Sequence, residues 1–447
     1  MTMDRMEELE ALRGETPAAP PRLGGTLARA EARLRAHRRH VRAAVFPCAL
    51  LVSFLALFTA AVNVSPAFAH ACGSVPVVGD LAEAVAFSPS MRAAVKNGAV
   101  QVVERSQTKD GVTLGIRYVI ADGKQLDLFY TLQDRQGRRL SFEPTVRDAK
   151  EGKPLPSTLY SHHEPNDGGL NFFIIDFANR AMPESLLLDC TVSAETSAGK
   201  SDAAKFTFPL RFDPKLTQKE ERIELGTKLR LGGQSFTLSR AEIYPTSLRL
   251  FAEGDTGGTA WLRGLDFYVT DEKGNRFDAA ENGIRATGEG NSPAMNSFRC
   301  ESPYFSGAGK LYAHITGAEL LDKSMRTVRI DLKNASADRL PQGVSLSEAK
   351  RQDGGWRITF TAPRRGDAMY SLFESDCLDP RGNRKQYDGC ETVDSLRTDP
   401  KTGALEPSPG TFEETDTLND YADDEVTLFP CFSRYAELKE PIVVRLK

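Results

Sequence analysis

The sequence predicts a mainly β protein, with one N-terminal transmembrane helix followed by tandem antiparallel β-sandwich modules. Three observations carry that expectation. Residues 43–64 carry no formal charge, apolar residues alternate with period two from Val100 onward, and a D-x-x-G-x-R turn motif occurs three times.

The uncharged stretch, Ala43 to Val64, is 22 residues long and follows Arg29, Arg33, Arg35, Arg38, Arg39 and Arg42. At about 1.5 Å of rise per residue it crosses a hydrocarbon core of roughly 30 Å, even with Pro47, Ser53 and Thr59 inside it. No Lys or Arg follows from Ser65 until Arg92. Positive residues stay on the cytoplasmic side, so residues 1–42 are expected inside and the bulk beyond residue 65 outside. A cleaved secretory signal is the competing reading, because Ala67-Phe68-Ala69 and Ala69-His70-Ala71 fit the small-x-small cleavage pattern. The long leader and long apolar run favour a retained anchor. Cys72 follows Ala71 in the manner of a lipidated cysteine, but His70 stands where a small residue is needed.

The basic tail, residues 1–42, holds nine Arg against six acidic residues, a net +3 that leaves −7 for the rest of a chain whose total is −4. Arginines beside a bilayer attract anionic lipid, and an acidic exterior argues against nucleic acid as a partner. Met6, Leu9 and Leu12 recur at helical spacing. After a Pro-rich break, Leu27, Ala30, Leu34, His37 and Val41 share a second helical face. Such short helices do not fold alone in water. Met6, Leu9, Leu12, Leu27 and Leu34 are therefore candidate contacts for a cytoplasmic partner on which the tail folds, with a disordered anchor sequence as the alternative.

Residues 65–98 are expected to form a short helical juxtamembrane segment, with helices at Asp80–Ala86 and Ser90–Lys96 and a stop at Asn97-Gly98. A first sandwich is expected over 99–213, where Val100-Val102, Val112 to Ile120 and Leu126 to Leu132 alternate between turn signals. A second is expected over 214–334, and a third β module over 335–447. The repeated motif reads Asp134 to Arg139, Asp271 to Arg276, and Asp379 to Arg384, as for hairpins whose Asp opens a turn and whose Gly is left-handed. Each module is expected to close on a charged-edged strand: Phe206 to Phe212, Thr327 to Leu332, and Ile442 to Leu446.

Of seven cysteines, Cys48 falls in the span and Cys72, Cys190, Cys300, Cys377, Cys390 and Cys431 fall outside it, in a disulfide-permissive compartment. Cys377 and Cys390 flank a turn and form the candidate disulfide, with Cys431 in the same module. The sequence does not choose among the pairings, and buried reduced thiols are the alternative. No nucleophile elbow, P-loop, dinucleotide fingerprint or H-E-x-x-H motif is present, so no catalytic, cofactor or metal residue is assigned. His162 and His163 are adjacent and read as part of a solvated loop, and His314 as a surface strand position. The acidic run Glu413, Glu414, Asp416, Asp420, Asp423, Asp424 and Glu425 lacks EF-hand spacing and reads as a wet loop rather than a calcium site. Phe172 to Ile175 reads as a core strand.

The segments Val62 to Ala69, Val75 to Gly79, Ala94 to Gln101, Gly111 to Thr113 and Leu126 to Leu132 resemble a family of membrane-anchored Gram-positive bacterial proteins catalogued as a domain of unknown function. The likeness covers about residues 40–335. It implies a second, immunoglobulin-like module, matched by Arg222 to Leu332, and an association with extracytoplasmic-function sigma factors. That association implies an anti-sigma-like arrangement: a tail that holds a sigma factor, a single span, and an ectodomain that reports on the envelope. The tail here lacks the helical bundle and His/Cys zinc cluster of the better-known anti-sigma domains. The sequence thus points to a non-enzymatic single-pass regulator. The alternatives are an anchored or secreted β-sandwich binding protein of the cell envelope without a cytoplasmic partner, and an enzyme without a recognisable motif.

Overall fold

The computed structural model describes residue 10 and residues 77–447, apart from 163–168, 179, 197–198, 214–216, 218–219, 280–283, 290–291, 353, 366–369 and 399–404. The apolar stretch 43–64 and the tail positions Met6, Leu9, Leu12, Leu27 and Leu34 lie outside the described residues. Among the described residues no helix is long and apolar enough to cross a membrane.

Two short helices come first, α1 (Val77–Ala84) and α2 (Pro89–Lys96). Ser88 caps α2 by accepting from Met91 N and Pro89 fills the first turn, one residue before the expected start, while Gly98 at φ +72° lies at the expected stop. The first sandwich contains β1 (Val100–Lys109), β2 (Val112–Ala121), β3 (Gln125–Asp134), β4 (Leu140–Asp148), β5 (Thr158–His162), β6 (Asn171–Asp176), β7 (Ser185–Thr196) and β8 (Gly199–Arg211). A five-stranded sheet, ordered β1-β2-β3-β6-β5, faces a three-stranded sheet, β4-β7-β8. Between them lie Leu114, Leu128, Tyr130, Phe173, Leu188 and Phe208. The outer face of the larger sheet is covered too, because Leu81, Met91 and Ala94 of the helices, with Val85 between them, pack on Phe129, Phe172 and Ile174. Both faces of β6 are therefore dry, which is why Phe172 to Ile175 is continuously apolar rather than alternating.

The second sandwich opens with β9 (Glu221–Leu231), β10 (Gln234–Ile243), β11 (Leu248–Gly254) and β12 (Ala260–Asp271). It continues through β13 (Arg276–Phe277), β14 (Ala286–Gly288), β15 (Met295–Cys300) and β16 (Leu311–Asp322). The third holds β17 (Val328–Asp331), β18 (Ser336–Ala337), β19 (Ser345–Gln352), β20 (Gly355–Pro363) and β21 (Phe373–Leu378). To these it adds β22 (Arg384–Gln386), β23 (Gly389–Thr398), β24 (Leu405–Leu418) and β25 (Glu425–Pro430). Its sheets are ordered β18-β17-β25-β21-β22 and β19-β20-β24-β23.

The last strand, β26 (Arg434–Arg445), does not join the third module. It pairs with β16 in the second, with Ala313 opposite Val444 and Ile315 opposite Ile442, and Val444 and Leu446 enter the second core. Conversely β17 pairs with β25, and Val328 and Ile330 enter the third core. The strands expected to close the second and third modules are thus exchanged, and the expected boundary between 334 and 335 gives way to an insertion. The second sandwich uses β9 to β16 and β26, and the third lies between them. Alternation specifies which face of a strand is apolar, not which neighbour it pairs with, so the sequence pattern is equally consistent with both arrangements.

The repeated motif folds the same way each time. Gly137, Gly274 and Gly382 have φ of +66°, +83° and +82°. Each leading Asp turns its carboxylate back onto the loop: Asp271 Oδ1 accepts from Lys273 N and Asn275 N, and Asp379 Oδ1 from Arg381 N and Asn383 N. In the first copy the Arg138 guanidinium takes the place of the Asn side chain against Asp134. The second and third copies close hairpins, β12-β13 and β21-β22. The first instead carries the chain from β3 across to β4 in the opposite sheet.

Candidate functional site

Two groups of buried polar side chains stand out against these apolar cores. The first lies where the first and second sandwiches meet. Asp122, Gln125, Asp127 and Asp176, at the ends of β2, β3 and β6, face Arg249 of β11 and Arg299 of β15, all fully buried or nearly so. Arg249 Nη2 lies 2.8 Å from Asp176 Oδ2, and Arg299 Nη2 contacts the same oxygen. Arg299 Nη1 donates to Gln125 Oε1 at 2.9 Å, and Gln125 Nε2 donates to Asp127 Oδ1 at 2.7 Å. The Thr246 hydroxyl donates to Asp122. Alongside, Glu301 accepts from the Ser88 hydroxyl at 3.0 Å and Ser90 N at 2.7 Å, which ties α2 to the second sandwich.

Burial and pairing oppose one another within this seam. Burial pushes the Asp127 carboxyl well above the usual range. Burial works against Asp176 as well, but Arg249 and Arg299 outweigh it and hold that carboxyl below its ordinary value. Burial also raises Asp122 despite Arg249. Two guanidinium groups thus face three buried carboxyl groups. The seam joins the two sandwiches, while Asp127 Oδ2 and Arg249 Nε and Nη1 have no hydrogen-bond partner.

The second group lies inside the third sandwich and is chemically open. Along β24, Phe412, Glu414, Asp416 and Leu418 all face inward and are buried. Two carboxylates thus stand in the middle of an apolar strand face, against Phe360 and Ile358 of β20. Cys390 of β23 sits directly opposite Asp416 and hydrogen-bonds to it. One ligand atom each from Cys390, Glu414 and Asp416 lies within 4.8 Å of the others. Leu372 N donates to both Glu414 oxygens, at 3.2 and 3.0 Å. Asp416 Oδ2 and Tyr387 Oη are buried without a hydrogen-bond partner. Burial, reinforced by Asp416, pushes Glu414 up to about 8, and burial pushes Asp416 up to about 7. The Cys390, Cys431 and Cys377 thiols are raised by burial to about 12, 12 and 11, with neighbouring acidic charge adding to the rise.

The expected Cys377–Cys390 disulfide is not formed. Cys190, Cys300, Cys377, Cys390 and Cys431 are all free. The hairpin after Cys377 is completed by β22, with Lys385 opposite Cys377, so Cys390 falls beyond it on the other sheet. The acidic run is likewise not one wet loop: Glu413, Glu414 and Asp416 belong to β24, Asp420, Asp423 and Asp424 to the following turn, and Glu425 begins β25. The missed signal is the i, i+2 series Phe412, Glu414, Asp416, Leu418, in which carboxylates occupy core positions. Of the histidines, His162 ends strand β5 rather than lying in a loop, while His163 lies outside the described residues. His314 sits on β16, stacked 4.6 Å from Tyr268 with Nε2 2.9 Å from Thr270 Oγ1.

The sheets define an antiparallel β-sandwich protein whose inserted module holds two buried carboxyl groups beside an exposed thiol. Residues 36–134 match the model of a family described as "Domain of unknown function (DUF4179)", which takes in the apolar stretch and the first three strands. Among solved structures, one described as "The crystal structure of the conserved domain protein from Bacillus anthracis" is similar at 15% identity and a TM-score of 0.38, covering 53% of this chain and 84% of that chain. No curated protein matches.

Proposed function

We propose that the chain is a non-enzymatic, single-pass membrane regulator of anti-sigma-like arrangement, with its β-sandwiches, the second of them immunoglobulin-like, outside the cytoplasm and residues 1–42 holding a sigma factor inside. The observation that carries this reading is the way the sandwiches are joined. The first is tied to the second by a buried ionic seam and the third is threaded into the second, so Val78–Lys447 is one compact unit. One compact unit gives an event at its far modules a physical route to the helices nearest the apolar stretch, and coupling through a single span needs such a route. The arginine-flanked apolar stretch and a family match that runs through it into β3 add support.

The test is co-purification. A tagged full chain, extracted in detergent from its own membranes, is expected to retain a sigma factor that is lost when residues 1–42 are deleted. Retention of none, by a protein whose exterior is protease-accessible on intact cells, would leave an anchored binding protein instead.

A further inference from the structure

We infer that Cys390, Glu414 and Asp416 form a binding site for a divalent cation of the zinc class. The three side chains converge from adjacent strands, β23 and β24, and their ligand atoms already lie within 4.8 Å of one another. Bonds of about 2.3 Å to sulfur and 2.1 Å to oxygen draw such atoms to roughly 3.4–3.7 Å, a movement within reach of side-chain rotation. A second observation is independent of the clustering: Asp416 is 1% exposed, yet its Oδ2 accepts no hydrogen bond. An orphaned carboxylate oxygen is costly in a core, and a cation is the partner that satisfies it.

The donor set selects the ion. Calcium and magnesium take oxygen ligands, six or more for calcium, and neither favours a thiolate; one sulfur and two carboxylates suit zinc and its neighbours. The ligating forms are the thiolate and the two carboxylates, so binding competes with protons, and the cation's two charges offset two of the three anions. The route in is short, because Cys390 is exposed on the edge strand β23 and Asp416 lies directly opposite it on the next strand. Leu372 N, donating to Glu414, holds one ligand in place from behind.

The site stands or falls separately from the sigma-factor reading. The purified full chain in detergent, stripped by chelator and dialysed against Zn2+, is expected to take up one equivalent with no competition from excess Ca2+ or Mg2+. Co2+ in place of Zn2+ is expected to give a thiolate-to-metal charge-transfer band. Cys390→Ser is expected to abolish that band, and Asp416→Asn, close in shape, to weaken zinc binding by more than the roughly 10–100-fold of an outer-shell loss. Glu413→Gln, on the opposite face of β24, is expected to change neither. Absence of zinc uptake by the unaltered chain would overturn the assignment. So would a cobalt spectrum without the thiolate band, undiminished binding in variants that keep their circular dichroism, or a disulfide at Cys390 in non-reduced peptides.

Discussion

Arg249 and Arg299 are among the largest fully buried side chains of the protein, and both reach across to Asp176 on another sandwich. Nothing near them in the sequence announces this. The strand Asn171 to Asp176 is legible as a strand by its apolar run, but its closing carboxylate, Asp176, pairs with Arg249 and Arg299, far along the chain, and long-range pairing leaves no local period. The same holds for Glu414 and Asp416, whose charge reads as a wet loop until the strand register turns them inward. Removing one side of a buried pair leaves the other uncompensated. Arg299→Met is therefore expected to cost about 3–5 kcal/mol in chemical denaturation, and Arg299→Met with Asp176→Asn to recover part of that loss. A single variant as stable as the parent would mean that the seam adds nothing to the folded state.

Among the elements, the helices, most strands and the D-x-x-G turns follow from local rules, since capping residues, period-two alternation and left-handed glycines act within a few residues. Partner choice does not, which is why the closing strands of the second and third modules are exchanged. The turns also carry a pH dependence. At Asp134 the Arg138 guanidinium, with its backbone N–H, outweighs desolvation and brings the carboxyl down to about 2. A depressed carboxyl stabilises the fold fully above its unfolded value of about 4, and that contribution is lost as the pH falls toward 2. Thermal unfolding followed from about pH 5 down to 2 is expected to show a shallower acid limb in Asp134→Ala than in the parent. The difference at neutral pH should stay below about 1 kcal/mol, because solvent reaches the Arg138 side of the pair. Superimposable acid limbs would show that the turn carboxylate does not contribute.

At the scale of the whole molecule, a run of β-sandwich modules is legible from turn spacing and repeated motifs, whereas their interlocking is not. Two crossings join the second and third modules, from β16 to β17 and from β25 to β26. Arg263 adds to the join by donating to Cys431 O and Glu374, and Arg365 by pairing with Glu319 and lying over Tyr370, Phe432 and Tyr435. The regulatory proposal depends on that continuity, since loosely strung modules would move independently. Deleting residues 434–447 tests it most directly. Removing β26 strips Val444 and Leu446 from the second core and leaves the edge of β16 unpaired. Hydrogen exchange is expected to show protection lost across β12 and β16 of the second sandwich. Protection unchanged there, with loss confined to the third sandwich, would contradict the insertion and the one-body account built on it.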